Sequence, residues 1–330
     1  MYLQTMTPVL TSSAFVKRNE QAVEKIADEL ANEEFSPQRI PEEFLPKKNS
    51  DDLISFICIS TALSFCSTDP ISKEKFEARI NGNIYNGSVA IVGCLGYAIN
   101  HEWPLLNTDY LKKISLVELE AVFKGNIRIP LVNDRLQILR EIGNKLEKYK
   151  GDFKNLFQEN NFQAGGCSQF NGIVPTLVKE FPLSFEDVAY WPHGLVGTEP
   201  VKIHFAKKAQ LAVLLYNNQA KNIKDIVVIG PTIDSQVIRP LIERDALQCS
   251  QALTEKINQR VIFLTSSREV IELRVNAAAI IDLLLVKINE RRLKANPPKQ
   301  PITHGYLDKK LWDYGHQSAV PQIIVSGREF

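Results

Sequence analysis

Helix-forming patterns occupy most of this chain after its first hundred residues. Apolar side chains recur every three or four residues from Leu131 to Tyr149, and the pattern stops at Gly151. The motif Ser115-Leu116-Val117-Glu118 is a capping box that opens another helix. Since helices with one apolar face must pack on one another, these patterns predict a mainly α fold. Further helices are predicted at 89–99, 152–158, 172–181, 205–217, 235–247 and 269–293.

The N-terminal part is patterned less regularly. An amphipathic helix is predicted to begin at Ser12-Ser13 and to continue to Leu30. A polar connector rich in proline and charge follows from Pro41 to Asn49. The segment 53–65 is rich in Ile and Phe, which is typical of either a buried strand or a short core helix.

A β-hairpin is predicted shortly after that apolar segment. Two alternating segments, 76–80 and 83–85, are joined by Asn81-Gly82. Asn-Gly between alternating segments is the strongest short-range indication of a hairpin, because both residues tolerate the positive φ of a type I′ turn. The sequence therefore predicts a small β element near residues 54–86 within a mainly α chain.

Composition restricts the classes of partner. The 330 residues include 39 Lys and Arg against 38 Asp and Glu, which gives a net charge of +1. A protein that binds long nucleic acid needs a strongly basic surface, so duplex DNA is not an expected partner. Five scattered cysteines include no CxxC pair, which argues against a zinc site or a disulfide framework.

Neither a secretion signal nor a membrane span is predicted. The first sixteen residues lack a basic start and an unbroken apolar run. The longest apolar run, 277–286, is interrupted by Asp282 and is too short to cross a bilayer. We therefore expect a soluble, reduced, cytoplasmic protein without a membrane partner.

Two carboxylates flank aromatic side chains near the end of the chain, in the segment from Leu307 to Tyr314. On a helix, Asp308 and Trp312 would share a face, with Asp313 roughly 140° away. One interpretation is a helix docked by Trp312 with its acids in solvent. The other is a site for a planar, hydrogen-donating ligand such as a purine-like base.

Asp234 also allows two interpretations. It precedes a predicted helix, where its carboxylate can cap free backbone N–H groups. Alternatively, a carboxylate held there beside a cleft can stabilise the oxocarbenium-like cation that forms when an N-glycosidic bond breaks. Lys207 and Lys208, at the start of another helix, are typical of a solvated face, but they can also bind a phosphate.

The remaining charged residues are interpreted as structural. Glu272 and Arg274 flank an apolar position before a very apolar helix, where charges are usually paired, so a structural ion pair is predicted. The histidines are scattered and are predicted to be non-catalytic; they are His101, His193, His204, His304 and His316.

Eight short segments follow one another over about residues 50–315. They are Tyr85-Asn86-Gly87, Ile114-Ser115-Leu116, 130–135 with Ile138-Leu139, Gly151-Asp152-Phe153, 205–210, Asp234 with its helix, Glu272-Leu273-Arg274, and Leu307-Asp308 with 311–314. No single segment is specific to one family, but all eight in this order resemble the queuosine 5'-phosphate N-glycosylase/hydrolase family, also called the queuosine salvage proteins.

The resemblance implies a helical fold similar to the helix-hairpin-helix DNA glycosylases. It implies an N-terminal extension over 1–110 that carries a helix and the hairpin, and a helical domain over 111–330, packed as one unit. The implied activity is hydrolysis of queuosine 5'-monophosphate to queuine and ribose 5-phosphate, without metal or cofactor. The implied partner is this small nucleotide, with no stable nucleic-acid partner, and we expect a monomer.

The resemblance also implies roles for individual residues. Asp234 stands at the position of the catalytic acid, and carboxylates at the positions of Asp308 and Asp313 help to hold the base. The lysines are candidates for the 5'-phosphate. The residues predicted to bind the substrate are Asp308, Asp313, Thr232, Lys309, Trp312, Lys207 and Lys208.

This chain is a divergent member, because several aromatic residues of the family pattern are replaced. Stacking on an aromatic side chain contributes roughly 1–3 kcal/mol per base, so these replacements weaken or alter base recognition. An alternative function is therefore a non-catalytic, nucleotide- or protein-binding member of the same fold. The departures fall at Ser67, Ser88, Val89, Thr232 and Lys309, and Gln236 replaces an arginine.

Overall fold

The computed structural model describes residues 3–47, 52–191 and 199–328, and helices dominate it, which confirms the mainly α prediction. No helix within these ranges is long and apolar enough to cross a membrane. The helices are α1 (Thr7–Ser12), α2 (Glu20–Ala31), α3 (Asp52–Leu63), α4 (Gly87–Asn100), α5 (Thr108–Lys113), α6 (Leu116–Val122), α7 (Val132–Lys145), α8 (Phe153–Glu159), α9 (Ile173–Glu180), α10 (Pro182–Phe185), α11 (Lys207–Ala220), α12 (Ser235–Glu243), α13 (Gln251–Asn258), α14 (Arg268–Lys294) and α15 (His304–Gln317).

The strands are short and form four two-stranded sheets within the described ranges. Three sheets are antiparallel, β1–β6, β2–β3 and β4–β5, and β7–β8 is parallel. The strands are β1 (Val16–Arg18), β2 (Glu77–Ile80), β3 (Asn83–Asn86), β4 (Val188–Trp191), β5 (Val201–His204), β6 (Leu247–Cys249), β7 (Ile262–Leu264) and β8 (Ile324–Ser326).

The predicted start of the first helix at Ser12-Ser13 is wrong. The helix begins at Glu20, because Asn19 is extended and its side chain accepts a hydrogen bond from the N–H of Ala22 at 3.3 Å. The preceding residues form β1, whose Val16 pairs with Cys249. The carboxylate of Glu272 accepts the N–H groups of residues 14–16 and holds them in an extended conformation.

The hairpin prediction is confirmed, and the apolar segment before it is a helix. α3 resolves the choice between strand and helix, and ten of its twelve residues are buried. In the hairpin, Ile80 pairs with Asn83, while Asn81 and Gly82 have φ of 49° and 86°. Two successive positive φ values are the conformation of a type I′ turn, for which Asn-Gly is favoured.

Three further sheets lie outside the segment where the sequence predicts β structure. The predicted helix 235–247 is shorter in the structure, because α12 ends at Glu243, Asp245 takes a left-handed φ of 59° and β6 follows.

Residues 48 and 49 of the predicted connector lie outside the described ranges, as does His193. The predicted domain boundary at residue 110 stays a prediction.

Two clusters of buried apolar side chains form the core. The first contains the inner faces of α3, α4, α7, α8, α9 and α11. The second is built on α14, with α2, α12 and α15 packed around it. α11 begins where the two clusters meet, since Phe205 belongs to the second cluster and Ala209 to the first. The cavities described below lie along this boundary.

Glu272 and Arg274 are both buried, and each forms a structural ion pair, which confirms the predicted structural role, although the two residues pair with others and not with each other. The carboxylate of Glu272 accepts the N–H groups of residues 14, 15 and 16 at 2.7–3.2 Å and pairs with Arg268 at 2.9 Å. Arg274 pairs with Asp187 through two hydrogen bonds of 2.8 and 2.5 Å. Each charge therefore joins distant segments of the chain.

Candidate active site

Asp234 caps a helix and lines a cleft at the same time. Its backbone is extended, and its Oδ1 accepts the N–H groups of Gln236 at 2.9 Å and Val237 at 3.1 Å. These bonds fix the carboxylate at the start of α12, where the positive end of the helix dipole stabilises negative charge. The capping interpretation is confirmed, and it leaves the second oxygen for other contacts.

Asp308 is a buried carboxylate with one satisfied oxygen. It lies in the second turn of α15 and is 4% exposed. Its Oδ2 accepts both the N–H of Thr232 at 2.7 Å and the hydroxyl of Thr232 at 2.9 Å. Its Oδ1 is buried and has no hydrogen-bond partner among the described residues. A buried acceptor without a donor is costly, so a ligand N–H at this point would be stabilising.

Burial raises the pKa of the Asp308 carboxyl to about 6, although the bonds from Thr232 and the nearby ring of His304 act in the opposite direction. The carboxyl is therefore ionised at neutral pH but lies much closer to protonation than an exposed aspartate does. An ionised Asp308 only accepts hydrogen bonds, so it selects ligands that donate them.

His304 connects three parts of the site. Its Nδ1 lies 2.9 Å from the carbonyl oxygen of Ile229, and its Nε2 lies 2.7 Å from Oδ1 of Asp282. A carbonyl and a carboxylate both accept, so both ring nitrogens donate and the ring carries a positive charge. Burial opposes that charge, but the hydrogen bond to Asp282 and the nearby carboxylates raise the pKa of His304. His304 thereby ties α14 to the loop that carries Thr232 and Asp234.

A close approach of two helices brings Asp234 and Asp308 into one site. A Cβ added at Gly315 of α15 would lie 2.0 Å from the carbonyl oxygen of Gln236 in α12. Real side chains cannot approach a backbone oxygen so closely, so only glycine allows α15 to pack at this distance.

Two adjoining cavities open beside these carboxylates. The first, which we name the Asp308 cavity, has a volume of about 280 Å³. The second, the His316 cavity, has a volume of about 90 Å³ and is bordered by both polar and apolar side chains. Apolar residues of the Asp308 cavity are Ile40, Phe44, Val89, Val92, Leu211, Leu215 and Val237. Polar residues of the His316 cavity include Ser64, Ser67, Thr68, Asn86, Ser88 and Gln236.

Asp234 stands where the two cavities meet. A planar apolar group fits the Asp308 cavity, whose buried acceptor is Asp308, while a hydrophilic group fits the His316 cavity. A molecule with one group in each cavity would therefore pass Asp234. The residues that line both cavities are Ser64, Ser88, Val89, Lys207, Asp234 and Trp312.

Comparison with known proteins decides the family. The family model described as queuosine salvage protein matches residues 44–325. This chain belongs to the queuosine salvage protein family. The match includes every residue of the two cavities except Gln38, Arg39, Ile40 and Pro41 of the N-terminal connector.

Two relatives of this queuosine salvage family member carry the name queuosine 5'-phosphate N-glycosylase/hydrolase. The protein from Bos taurus is 24% identical over 283 residues, which cover 82% of this chain and 78% of the relative. The protein from Sphaerobacter thermophilus is 26% identical over 321 residues, which cover 96% of this chain and 92% of the relative.

The structure brings most of the predicted site residues of this family member together. Asp308, Thr232, Lys309 and Trp312 line the Asp308 cavity with Asp234. Trp312 is half-buried against the second apolar cluster, so it both docks α15 and offers a ring to the cavities.

Asp313 lies outside both cavities. Its carboxylate pairs with the ammonium of Lys309, one helical turn earlier. The Lys309 ammonium lies 5.7 Å from the ring centroid of Trp312, so the pair borders the aromatic side chain that enters the cavity. The predicted contact of Asp313 with a base stays a prediction.

Lys207 and Lys208 are 5% and 1% exposed, so the interpretation as a solvated face is wrong. Lys207 lines both cavities. Lys208 lines neither; its ammonium donates to the carbonyl oxygen of Ala62 at 3.3 Å and lies 5.0 Å from the ring centroid of Phe65. Lys208 thus holds the C-terminal end of α3, from which Ser64 and Phe65 reach the His316 cavity.

The replaced positions of the family pattern border the cavities. Ser88 and Val89 line both, and Ser67 and Gln236 line the His316 cavity. Thr232 donates both its backbone N–H and its hydroxyl to Asp308. The hydroxyl is the donor that depends on the side chain at this position.

Lys75 and His316 line the His316 cavity, although the sequence did not predict them as site residues. The spacing of His316 contained an indication, since it follows Trp312 by four residues on α15 and their rings lie 4.1 Å apart. No local sequence pattern predicts Lys75 as a site residue. It lies in the segment before β2, and tertiary packing brings it to the cavity.

Proposed function

We propose that this chain hydrolyses the N-glycosidic bond of queuosine 5'-monophosphate and releases queuine for salvage into tRNA modification. The family and the names of the two relatives support this substrate. The observation that carries the proposal is the position of Asp234 between a cavity with a buried acceptor and a cavity that two lysines and several hydroxyl groups border. That arrangement suits a molecule with a planar base at one end and a hydrophilic sugar phosphate at the other.

In this proposal Asp234 acts on the sugar carbon and on water. As the bond from C1′ to the base nitrogen breaks, the base takes the electron pair and the ribose becomes oxocarbenium-like. The carboxylate of Asp234 stabilises that cation and accepts a proton from the attacking water. The water oxygen bonds to C1′, and a proton ends on the base nitrogen, so the products are queuine and ribose 5-phosphate.

Asp308 holds the base. Queuine is a 7-deazaguanine, whose ring edge donates N–H groups, and the buried Oδ1 of Asp308 is an acceptor in need of a donor. Thr232 orients Asp308, and the ring of Trp312 supplies flat apolar surface. Lys309 borders the same cavity. Lys207, which lines both cavities, is placed to contact the sugar phosphate.

A product assay tests the proposal. Purified protein is incubated with queuosine 5'-monophosphate, and separately with guanosine and inosine 5'-monophosphates, and the released bases are quantified by mass spectrometry. We expect release of queuine and slower release of guanine and hypoxanthine. If no base appears from any nucleotide at high protein concentration, while queuosine 5'-monophosphate still raises the melting temperature, the chain is a nucleotide-binding member without hydrolase activity.

A further inference from the structure

A half-buried lysine without an anionic partner lines the His316 cavity. Lys75 lies just before β2, and no carboxylate among the described residues bonds to its ammonium. Burial and the charge of the nearby Arg239 lower the pKa of Lys75, and the nearby carboxylates of Glu77 and Asp234 offset this only in part. An ammonium held partly out of water, with no carboxylate bonded to it, is stabilised when an anion binds to it.

The ammonium of Lys75 lies against the first residue of α4. A Cβ added at Gly87 would be 2.7 Å from Cε and 3.2 Å from Nζ of Lys75, so a larger residue would displace the lysine. Gly87 also has a φ of +60°, which favours glycine. The lysine and the start of this helix therefore form one positively charged surface.

α4 begins without a side-chain cap. Its N-cap residue, Asn86, accepts no hydrogen bond from the first turn, whereas Asp234, which lines the same cavity, caps α12. Asn86, Ser88 and Val89 all line the His316 cavity. The N–H of Gly87 is already used, since it donates to the carbonyl oxygen of Phe76 at 2.9 Å. The N–H groups that follow it in the first turn, with the positive end of the helix dipole, favour an anion.

The charges around the His316 cavity are mostly positive. Lys75 and Lys207 line it, and Asp234 is the one acid among its lining residues that the structure describes. Ser67 adds a hydroxyl 3.4 Å from the added Cβ at Gly87, close to the Lys75 ammonium. Ammonium, hydroxyl and backbone N–H groups all donate hydrogen bonds, and the oxygens of a phosphate accept them.

We propose that Lys75 and the first turn of α4, together with Lys207, bind the 5'-phosphate of the substrate. The assignment rests on the proposed function, because it places the base in the Asp308 cavity and the ribose beside Asp234. Contacts to the phosphate in the His316 cavity would then make the protein prefer a nucleotide over a nucleoside.

Calorimetric titration with ribose 5-phosphate tests this binding without turnover. Lys75→Met should weaken ribose 5-phosphate binding by about 10- to 100-fold, and Lys75→Arg should keep most of it. Lys73→Met is the matched control, because Lys73 is also half-buried, lines neither cavity and contacts the carbonyl oxygen of Gln259 at 3.4 Å. Ribose serves as the ligand control. Binding by Lys75→Met as tight as that of the unmodified protein would overturn the assignment.

Turnover separates phosphate binding from a structural role. Lys75→Met should lower kcat/KM for queuosine 5'-monophosphate and leave kcat/KM for the nucleoside queuosine unchanged. Equal losses on both substrates would overturn the assignment, because a displaced active site affects both. If the unmodified protein hydrolyses neither substrate, the proposed function fails, and the ribose 5-phosphate titration still decides the role of Lys75.

Discussion

Thr232 gives both of its hydrogen-bond donors to one oxygen of Asp308, across 76 residues of sequence. The pair fixes the rotation of the carboxylate and leaves the other oxygen buried without a donor among the described residues. It also joins the loop before α12 to α15. The positions of Asp234, proposed for catalysis, and Asp308, proposed for base binding, are therefore fixed relative to each other. The hydroxyl of Thr232 is the part of this link that a substitution can remove.

Thr232→Val should weaken binding of the base. The substitution keeps the size of the side chain and the backbone donor but removes the hydroxyl, so Asp308 can rotate and is less well satisfied. We expect KM for queuosine 5'-monophosphate to rise by about tenfold and stability to fall by about 1 kcal/mol. Thr232→Ser, which keeps the hydroxyl, should retain both. An unchanged KM in Thr232→Val would show that the hydroxyl does not orient Asp308.

Asp308 should make the protein less stable as the pH rises. Its pKa of about 6 is raised by burial above the ordinary value of 3.8, so between these values the folded state binds more protons than the unfolded state. Its contribution to stability is complete below about pH 4 and is lost as the pH rises through about 6. Asp308→Asn should therefore raise the free energy of unfolding at pH 7.5 by up to about 3 kcal/mol, with little change at pH 4. Denaturant unfolding at both pH values measures this, and equal effects at both would contradict it.

Activity should respond to the same group in the opposite direction. Base binding uses ionised Asp308 as an acceptor, so kcat/KM should rise with pH through about 6. The gain of stability in Asp308→Asn should accompany a large loss of kcat/KM, because an amide places a donor where the base also donates. A pH–rate profile that is flat between pH 5 and 7 would exclude this role.

His304 should set the position of that pH profile. Its charged ring lowers the pKa of Asp308, so His304→Gln should move the acid limb of the kcat/KM profile toward higher pH. Asp282→Asn should act in the same direction, because it removes the carboxylate that favours the charged ring. The limb should stay in place in His101→Gln, whose ring stacks on Tyr97 outside both cavities.

Gly315→Ala should disturb the active site at the contact between α15 and α12. Its Cβ would meet the carbonyl oxygen of Gln236 at 2.0 Å, so α15 must move away from α12. Overpacking of this kind costs about 1–3 kcal/mol, and we expect a loss of activity as well. Gly305→Ala, on the same helix, is the control, because its Cβ would meet a side-chain methyl group of Leu214 at 2.8 Å and no backbone atom. Melting temperatures and kcat/KM of the two variants compare the effects, and equal losses would contradict the argument.

Local signals explain which parts of the fold the sequence predicts. The capping box of Ser115 and Glu118 and the turn at Asn81-Gly82 each depend on contacts between residues no more than four positions apart. Both predictions are confirmed. The sequence misplaces the start of the first helix, because the carboxylate of Glu272, far along the chain, accepts the N–H groups of residues 14–16. Strands of three residues, such as β1 and β6, are too short to show an alternating pattern.

The candidate site divides in the same way. Asp234 and Asp308 are predicted because family-like motifs surround them in sequence. The bond between Thr232 and Asp308, the burial of Lys208 and the approach of Lys75 to Gly87 all depend on tertiary packing. The charge of a lysine pair suggests solvent exposure, and only the packing of α3 against α11 shows otherwise.

The two roles of Asp234 can be separated by substitution. Asparagine caps helices as well as aspartate does, so Asp234→Asn should keep the bonds to Gln236 and Val237 and leave the melting temperature unchanged. It has no negative charge to stabilise a ribosyl cation. Asp234→Ala should lose the cap as well, at a cost of about 1 kcal/mol in stability.

The most direct test of this account is the rate of queuine release from queuosine 5'-monophosphate by Asp234→Asn, measured beside the unmodified protein. We expect a correctly folded variant whose kcat falls by at least about 100-fold, as a lost electrostatic contact in a transition state requires. Turnover by Asp234→Asn at the rate of the unmodified protein would contradict the account and leave Asp234 as a helix cap alone.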